Sequence, residues 1–163
     1  MSDDWLLQWL QDSALAQAIR GGEWLFPAIE TVHVLSLATV FGSILLVDLR
    51  LLGLSSRASA LSRLTHETLP YTWAAFGLAA LSGSLMFISK APVYFHNLQF
   101  RLKFLCLLLA GINMLVFHAG IYRRVAQWDL RLPPPAPARI AGALSIALWL
   151  SIIALGRWVG FTT

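Results

Sequence analysis

The sequence predicts an all-α integral-membrane protein whose core is a four-helix bundle of up-down-up-down topology. Of its 163 residues, 58% are hydrophobic and only 12% are charged, whereas soluble domains are about one quarter charged. The mean hydropathy is +0.69. Four stretches are apolar over roughly the 20 residues that a bilayer-spanning helix needs. Short connections between such spans favour alternating helix directions.

Residues 1–22 are expected to form an amphipathic segment at the membrane interface, ahead of a four-helix transmembrane domain over residues 23–163. Trp5, Leu6, Trp9 and Leu10 are interspersed with acids and glutamines, a pattern typical of helices that lie in the interface plane. The segment opens with two acids and lacks the basic region of a signal peptide.

The four predicted spans should be helical, because irregular backbone facing lipid leaves its polar groups unsatisfied. The second span carries Ala75, Ala79 and Gly83 at a spacing of four. Such a stripe lets another helix, or a flat ligand, approach the backbone closely, and it is compatible with a homo-oligomer. The spans cover approximately Trp24–Val47, Tyr71–Ile88, Leu102–Tyr122 and Ile140–Val159.

The distribution of basic residues predicts the orientation in the membrane. Seven of the 12 Lys and Arg residues flank or lie in the first and third connections, and the positive-inside rule puts both connections in the cytoplasm. Both termini would then face the periplasm, with the protein in the inner membrane of a bacterium. The basic residues of these two connections account for the net charge of +4, so no nucleic-acid partner is expected. The seven residues are Arg50, Arg57, Arg63, Arg123, Arg124, Arg131 and Arg139.

Two of the four histidines, His33 and His118, lie inside predicted spans. An ionisable residue at membrane depth is costly and indicates a functional site, and histidine is the usual axial ligand of haem iron. Each histidine shares a helix face with mostly apolar residues at 100° per residue. Gly111 leaves a shallow depression where a porphyrin could lie. The faces comprise Glu30, His33, Leu37, Val40, Ile44 and Asp48 on span 1, and Lys103, Leu107, Gly111, Met114 and His118 on span 3.

The two histidines are predicted to differ in depth. From the helical rise, they are offset by roughly 8–12 Å along the membrane normal. One haem b bound by both would therefore need helix tilt or stagger. Two haems would need further ligands, for which His66 and His96 near the span ends are the candidates. A structural alternative is that each histidine bonds a neighbouring helix.

Lys103 and Arg157 are the candidate partners for the haem propionates. Both residues are predicted to lie at a similar membrane depth, near the periplasmic ends of spans 3 and 4. Cationic side chains form favourable hydrogen-bonded ion pairs with carboxylates. The alternative is that both side chains merely extend to the membrane interface.

The segments AIETVHVLSLATVFGSILLVDLRLLG, LKFLCLLLAGINMLVFH and ARIAGALSIALWLSIIALGRWVG resemble small four-helix bacterial inner-membrane proteins. Nearly the whole chain resembles a bacterial family that carries a domain-of-unknown-function label. More distantly, spans 1 and 3 are similar to the membrane protoporphyrinogen oxidase that binds haem b and to the copper-resistance-D membrane domain. These relatives imply a histidine early in helix 1, here His33, with Lys103 opening helix 3 and His118 towards its end.

The function expected is that of a b-type cytochrome that carries electrons between membrane quinone and a partner protein. Haem b would lie between spans 1 and 3, with His33 and His118 as ligands of the iron. One alternative is a haem-dependent porphyrinogen or quinol oxidoreductase. Another is a non-redox membrane protein whose histidines handle a metal ion or protons.

Overall fold

A computed structural model describes residues 4–54, 60–129 and 133–162, and these residues confirm the all-helical, four-helix membrane bundle. Four long helices in it are apolar enough to cross a membrane. Arg57 and Arg131, on which the predicted orientation partly rests, lie outside the described residues. The helices are α1 (Asp4–Gln11), α2 (Ala14–Gly21), α3 (Leu25–Leu52), α4 (Leu61–Ser89), α5 (Ala91–His96), α6 (Leu98–Val116) and α7 (Ala136–Thr162).

The long helices extend beyond the spans that hydropathy predicts. Helix α4 begins at Leu61, ten residues before the predicted entry at Tyr71, and Pro70 lies inside it. Helix α6 is followed by a π-helical turn over Phe117–Ile121 and a 3₁₀ segment over Tyr122–Gln127. Hydropathy marks the part of a helix that suits lipid, whereas the helix itself continues for as long as its backbone hydrogen bonds and polar flanks allow.

The bundle is a ring of four helices that is open along one side. Helix α3 packs against α4 and against α7, and α7 packs against α6. No comparably extensive packing joins α4 to α6 in the described residues. The core between α3, α6 and α7 is built from Val40, Ala110, Leu148, Trp149 and Ile152. A groove therefore runs between α4 and α6 and is backed by this core.

The N-terminal segment forms two short helices. Helices α1 and α2 pack across α5 and α4 at the end of the bundle where the chain termini lie. Ala16 and Ile19 are fully buried there, while Trp5 and Trp9 remain exposed. The Arg20 guanidinium donates a hydrogen bond to the backbone carbonyl of Ser89 over 2.7 Å. This contact fixes α2 to the end of α4.

At the opposite end, Asp129 caps α4 from a different connection. Its carboxylate accepts hydrogen bonds from the backbone N–H groups of Leu61 and Ser62 and from the Ser62 hydroxyl. The residue before the helix, Ala60, has no side chain that could do this. Arg50 of α3 donates to the backbone carbonyl of Asp129 over 2.8 Å. Asp129 thus satisfies the free N–H groups of one span and links it to α3.

We expect Asp129→Ala to lower the free energy of unfolding by about 1–2 kcal/mol, the usual cost of losing an N-terminal cap. The measurement is reversible unfolding in detergent, monitored by circular dichroism. Asp12→Ala is the matched control, because Asp12 is exposed and its carboxylate caps no helix in the described residues. Equal stability of the two variants would contradict the capping role.

Candidate functional site in the groove between α4 and α6

The groove contains two adjoining cavities. The His33 cavity has a volume of about 630 Å³ and lies towards the termini of the chain; its lining includes His33, Gly83, Arg101 and Lys103. The Asp48 cavity has a volume of about 530 Å³ and lies at the other end; its lining includes Asp48, Thr65, Gly111 and His118. Both volumes are within the range of small-molecule sites. Phe76, Phe104, Leu107 and Trp149 line both cavities and form the wall between them.

The His33 ring is oriented by the backbone of α4. Its Nδ1 lies 2.9 Å from the carbonyl oxygen of Ala79 and 3.1 Å from Oγ of Ser82. A carbonyl oxygen can only accept, so Nδ1 carries the proton and donates it. The lone pair then resides on Nε2, the other ring nitrogen, which is the arrangement found when a histidine binds a metal and its second nitrogen is held by a carbonyl.

Gly83 is the residue that makes room for the His33 ring. A Cβ atom at this position would lie only 2.9 Å from Cε1 of His33, closer than van der Waals contact allows. The small-residue stripe of α4 therefore has a specific purpose in this fold. Ala79 supplies the carbonyl and Gly83 the space, so that the ring lies flat against the α4 backbone.

Two cations line the His33 cavity. Lys103 extends from α6 towards α7, where a Cβ added to Gly156 would lie 3.5 Å from Nζ. In the part of the chain that the structure describes, no hydrogen bond or ion pair engages this ammonium group. Arg101, one half-turn earlier on α6, is the second cation in the lining. The His33 cavity contains no carboxylate among its described lining residues.

Aromatic side chains close the His33 cavity towards α5. The rings of Phe87 and Phe100 are stacked with centroids 5.5 Å apart, and Tyr94 of α5 packs on Phe100 with centroids 5.6 Å apart. Burial, and secondarily the charge of Glu30, raise the pKa of Tyr94. Tyr94 is therefore a neutral phenol that completes an apolar cover over this end of the groove.

The Asp48 cavity has a different chemistry, with two unsatisfied polar atoms among residues that line a mostly apolar cavity. Asp48 is only 5% exposed, and Ser145 of α7 lines the same cavity. The Asp48 carboxylate oxygen Oδ2 has no partner, and neither has the hydroxyl of Thr65, which is 7% exposed. Buried polar groups are rarely left unpaired without a reason. No Lys or Arg occurs among the described residues that line this cavity.

His118 belongs to the Asp48 cavity and not to the cavity of His33. It lies in the π-helical turn after α6, and its Nδ1 donates to the carbonyl oxygen of Met114 over 2.9 Å. The ring of Tyr122 packs beside it at 5.2 Å between centroids. The structure therefore does not bring the two span histidines together, in keeping with the depth difference predicted from the sequence.

The remaining predicted site residues lie outside both cavities. His66 is exposed on α4. His96 is exposed on α5, where its Nε2 lies 3.0 Å from a carboxylate oxygen of Asp4. Arg157 is on the outer face of α7, with its guanidinium 4.7 Å from the centre of the Phe161 ring. Lys103 and Gly111, by contrast, do line the groove, one in each cavity.

Sequence reasoning missed Arg101 as a groove residue and did not single out Thr65. Arg101 is two positions from Lys103, so an ideal helix puts the two on different faces, and only the length of the arginine side chain brings both into one cavity. Among the described residues, no group of three or more His, Cys, Asp or Glu side chains is arranged to hold a metal ion.

Comparison with known proteins yields one family. A model described as a family of unknown function (DUF6644) matches residues 8–162. No curated protein matches the chain, and no solved structure matches it. The distant resemblance to the membrane protoporphyrinogen oxidase and the copper-resistance-D domain is thus not supported by these comparisons.

We expect the His33 ring to be protonated at Nδ1, because the Ala79 carbonyl accepts its proton. Nitrogen-15 chemical shifts of histidine-labelled protein distinguish the two neutral tautomers. Gly83→Ala should displace the ring and remove this signature, whereas Gly77→Ala on the same helix should preserve it, since nothing lies within 4 Å of a Cβ at Gly77. An Nε2-protonated His33 in the unaltered protein would refute the geometry.

Proposed function

We propose that this chain, which belongs to the family of unknown function DUF6644, is an integral-membrane b-type cytochrome. It binds haem b in the His33 cavity and carries electrons between the membrane quinone pool and a partner protein. The protein would lie in the inner membrane of a bacterium, with both termini in the periplasm. The observation that carries it is the His33 ring, whose Nε2 lone pair is left available beside a cavity of about 630 Å³.

The surroundings of His33 suit a porphyrin in three respects. Gly83 lets the ring lie against α4, so that its Nε2 can serve as an axial ligand. Phe87, Phe100 and Phe104 provide apolar surface. The cavity also lies at the opening between α4 and α6, which are not extensively packed against each other in the described residues.

The cationic side chains in the lining of this cavity would balance the negative charge of haem. Haem carries two propionates, and Lys103 and Arg101 are two cations in a lining that holds no carboxylate among its described residues. A buried ammonium without a partner is costly, so an anionic group beside Lys103 would stabilise the protein. Arg101 thereby takes the role that sequence reasoning gave to Arg157.

The protein's own residues would bind and orient the group. His33 would bind the iron, the Ala79 carbonyl would keep the His33 ring in its tautomer, and the aromatic cover formed by Phe87, Tyr94 and Phe100 would limit access of water. Bound haem would supply one-electron redox chemistry. His118 lies in the other cavity, so this proposal assigns only His33 to the haem of the His33 cavity.

Protein purified from haem-replete cells should show a Soret band and a pyridine haemochrome signal of b-type haem. His33→Ala should remove that signal almost completely, because the iron loses its protein ligand. His66→Ala is the matched control, since His66 is exposed and lines neither cavity. A colourless, folded wild-type protein would overturn the proposal.

Replacing either cation should weaken haem binding without abolishing it. Charge-assisted hydrogen bonds contribute roughly 1.5–3 kcal/mol, so we expect Lys103→Met and Arg101→Met each to lower haem affinity by about tenfold or more. The measurement is transfer of haem to apomyoglobin. Arg157→Met is the control and should leave the transfer rate unchanged; an equal effect of all three substitutions would contradict a specific propionate site.

A further inference from the structure

The Asp48 cavity contains polar atoms that the proposed haem site does not use. Asp48 and Thr65 are each more than nine-tenths buried, on α3 and α4 respectively. The Asp48 Oδ2 and Thr65 Oγ1 atoms both lack a hydrogen-bond partner. One is a strong acceptor, and the other can donate or accept. Both residues line this cavity, but the two atoms themselves have almost no accessible surface, so a ligand would engage them through a rotation of the side chains.

The charges in this cavity disfavour an anionic ligand. Its described lining contains the carboxyl group of Asp48 and the imidazole of His118 but neither Lys nor Arg, so an anion would meet Asp48 without a permanent cation to balance it. A second haem would bring two propionates into this environment and is therefore disfavoured. The cavity suits a neutral molecule that donates a hydrogen bond to Asp48.

The rest of the lining indicates a lipophilic ring with access from the bilayer. Trp73, Phe76, Phe104 and Trp149 contribute aromatic surface to the cavity. Trp73 and Phe104 are also half or more exposed on the outside of the bundle, on the flanks of the opening between α4 and α6. A ligand would therefore enter from lipid. Gly111 adds depth, because nothing lies within 4 Å of a Cβ at this position.

We propose that the Asp48 cavity binds the hydroxylated ring of a membrane-soluble quinol, with one ring hydroxyl donating to Asp48 and the same or the other hydroxyl engaging Thr65. This inference rests on the proposed function in choosing a redox-active lipid as the occupant. The position is consistent with that role, since this cavity adjoins the His33 cavity and shares Phe76, Phe104, Leu107 and Trp149 with it.

The test is calorimetric titration of the purified protein with a short-chain benzoquinol in detergent, under anaerobic conditions. Asp48→Asn should weaken binding by about tenfold, as expected when a carboxyl acceptor is replaced by a weaker amide acceptor. Thr65→Val should weaken it several-fold, and Gly111→Leu, which fills the cavity, should abolish it. Glu30→Gln, an exposed acid on the same helix, and Thr39→Val, an exposed hydroxyl that bonds its own helix, are the controls and should bind as the wild type does.

Haem content and the unfolding transition are measured on every variant. Unchanged haem content in Asp48→Asn and Thr65→Val, with weaker quinol binding, supports the site. Quinol binding by a protein that contains no haem would support the cavity assignment while refuting the proposed cytochrome. Haem-loaded protein that binds no quinol, or whose Asp48 and Gly111 variants bind it normally, overturns the inference alone. Two haems per chain, one of them lost in His118→Ala, would also overturn it.

Discussion

The opening between α4 and α6 is the constraint on which the rest of this structure depends. Three sides of the helix ring are packed, and the fourth is kept open along the length of the bundle. Side chains that face an unfilled gap lose the van der Waals contacts that a packed core provides, and two cavities of about 530 and 630 Å³ lie along this opening. The groove must therefore be filled by lipid or by a ligand.

The two cavities of the groove differ in the sign of their charged residues, and side chains pack between them. Lys103 and Arg101 lie in one cavity, and Asp48 lies in the other. A buried charge without a partner is strongly destabilising, and no ion pair joins the acid to either cation in the described residues. The charged groups of each cavity are therefore left for a ligand to satisfy: an anionic group beside Lys103 and Arg101, and a hydrogen-bond donor beside Asp48.

Much of the groove could be predicted from helical spacing, because a helix face depends only on local geometry. Of the two predicted stripes, all residues except Glu30 line one cavity or the other. The small-residue stripe of α4 was also recognisable. The contact between the His33 ring and Gly83 could not be predicted, because it depends on how α3 and α4 are rotated about their axes.

Other features depend on tertiary packing and left no signal in the sequence. The rotation of α7 is set by Trp149 and Ile152, which pack into the core, and it places Arg157 on the outside. The cap of α4 comes from Asp129, 68 residues away from Leu61. Which side of the ring stays open follows from the competition among all helix pairs. Hydropathy treats the four spans as equivalent, so it cannot indicate this.

Separation along the bundle explains how opposite charges persist in one groove. The Lys103 ammonium lies beside Gly156 of α7, and the backbone carbonyl of Asp48 lies beside Gly142 of the same helix. At about 1.5 Å per residue, the helix between these two glycines is roughly 20 Å long, which is far beyond the reach of an ion pair. The acid and the cations therefore cannot satisfy one another, and each cavity keeps its own chemistry. Because Phe76, Phe104, Leu107 and Trp149 line both cavities, the cavities nevertheless adjoin, as electron transfer between their occupants would require.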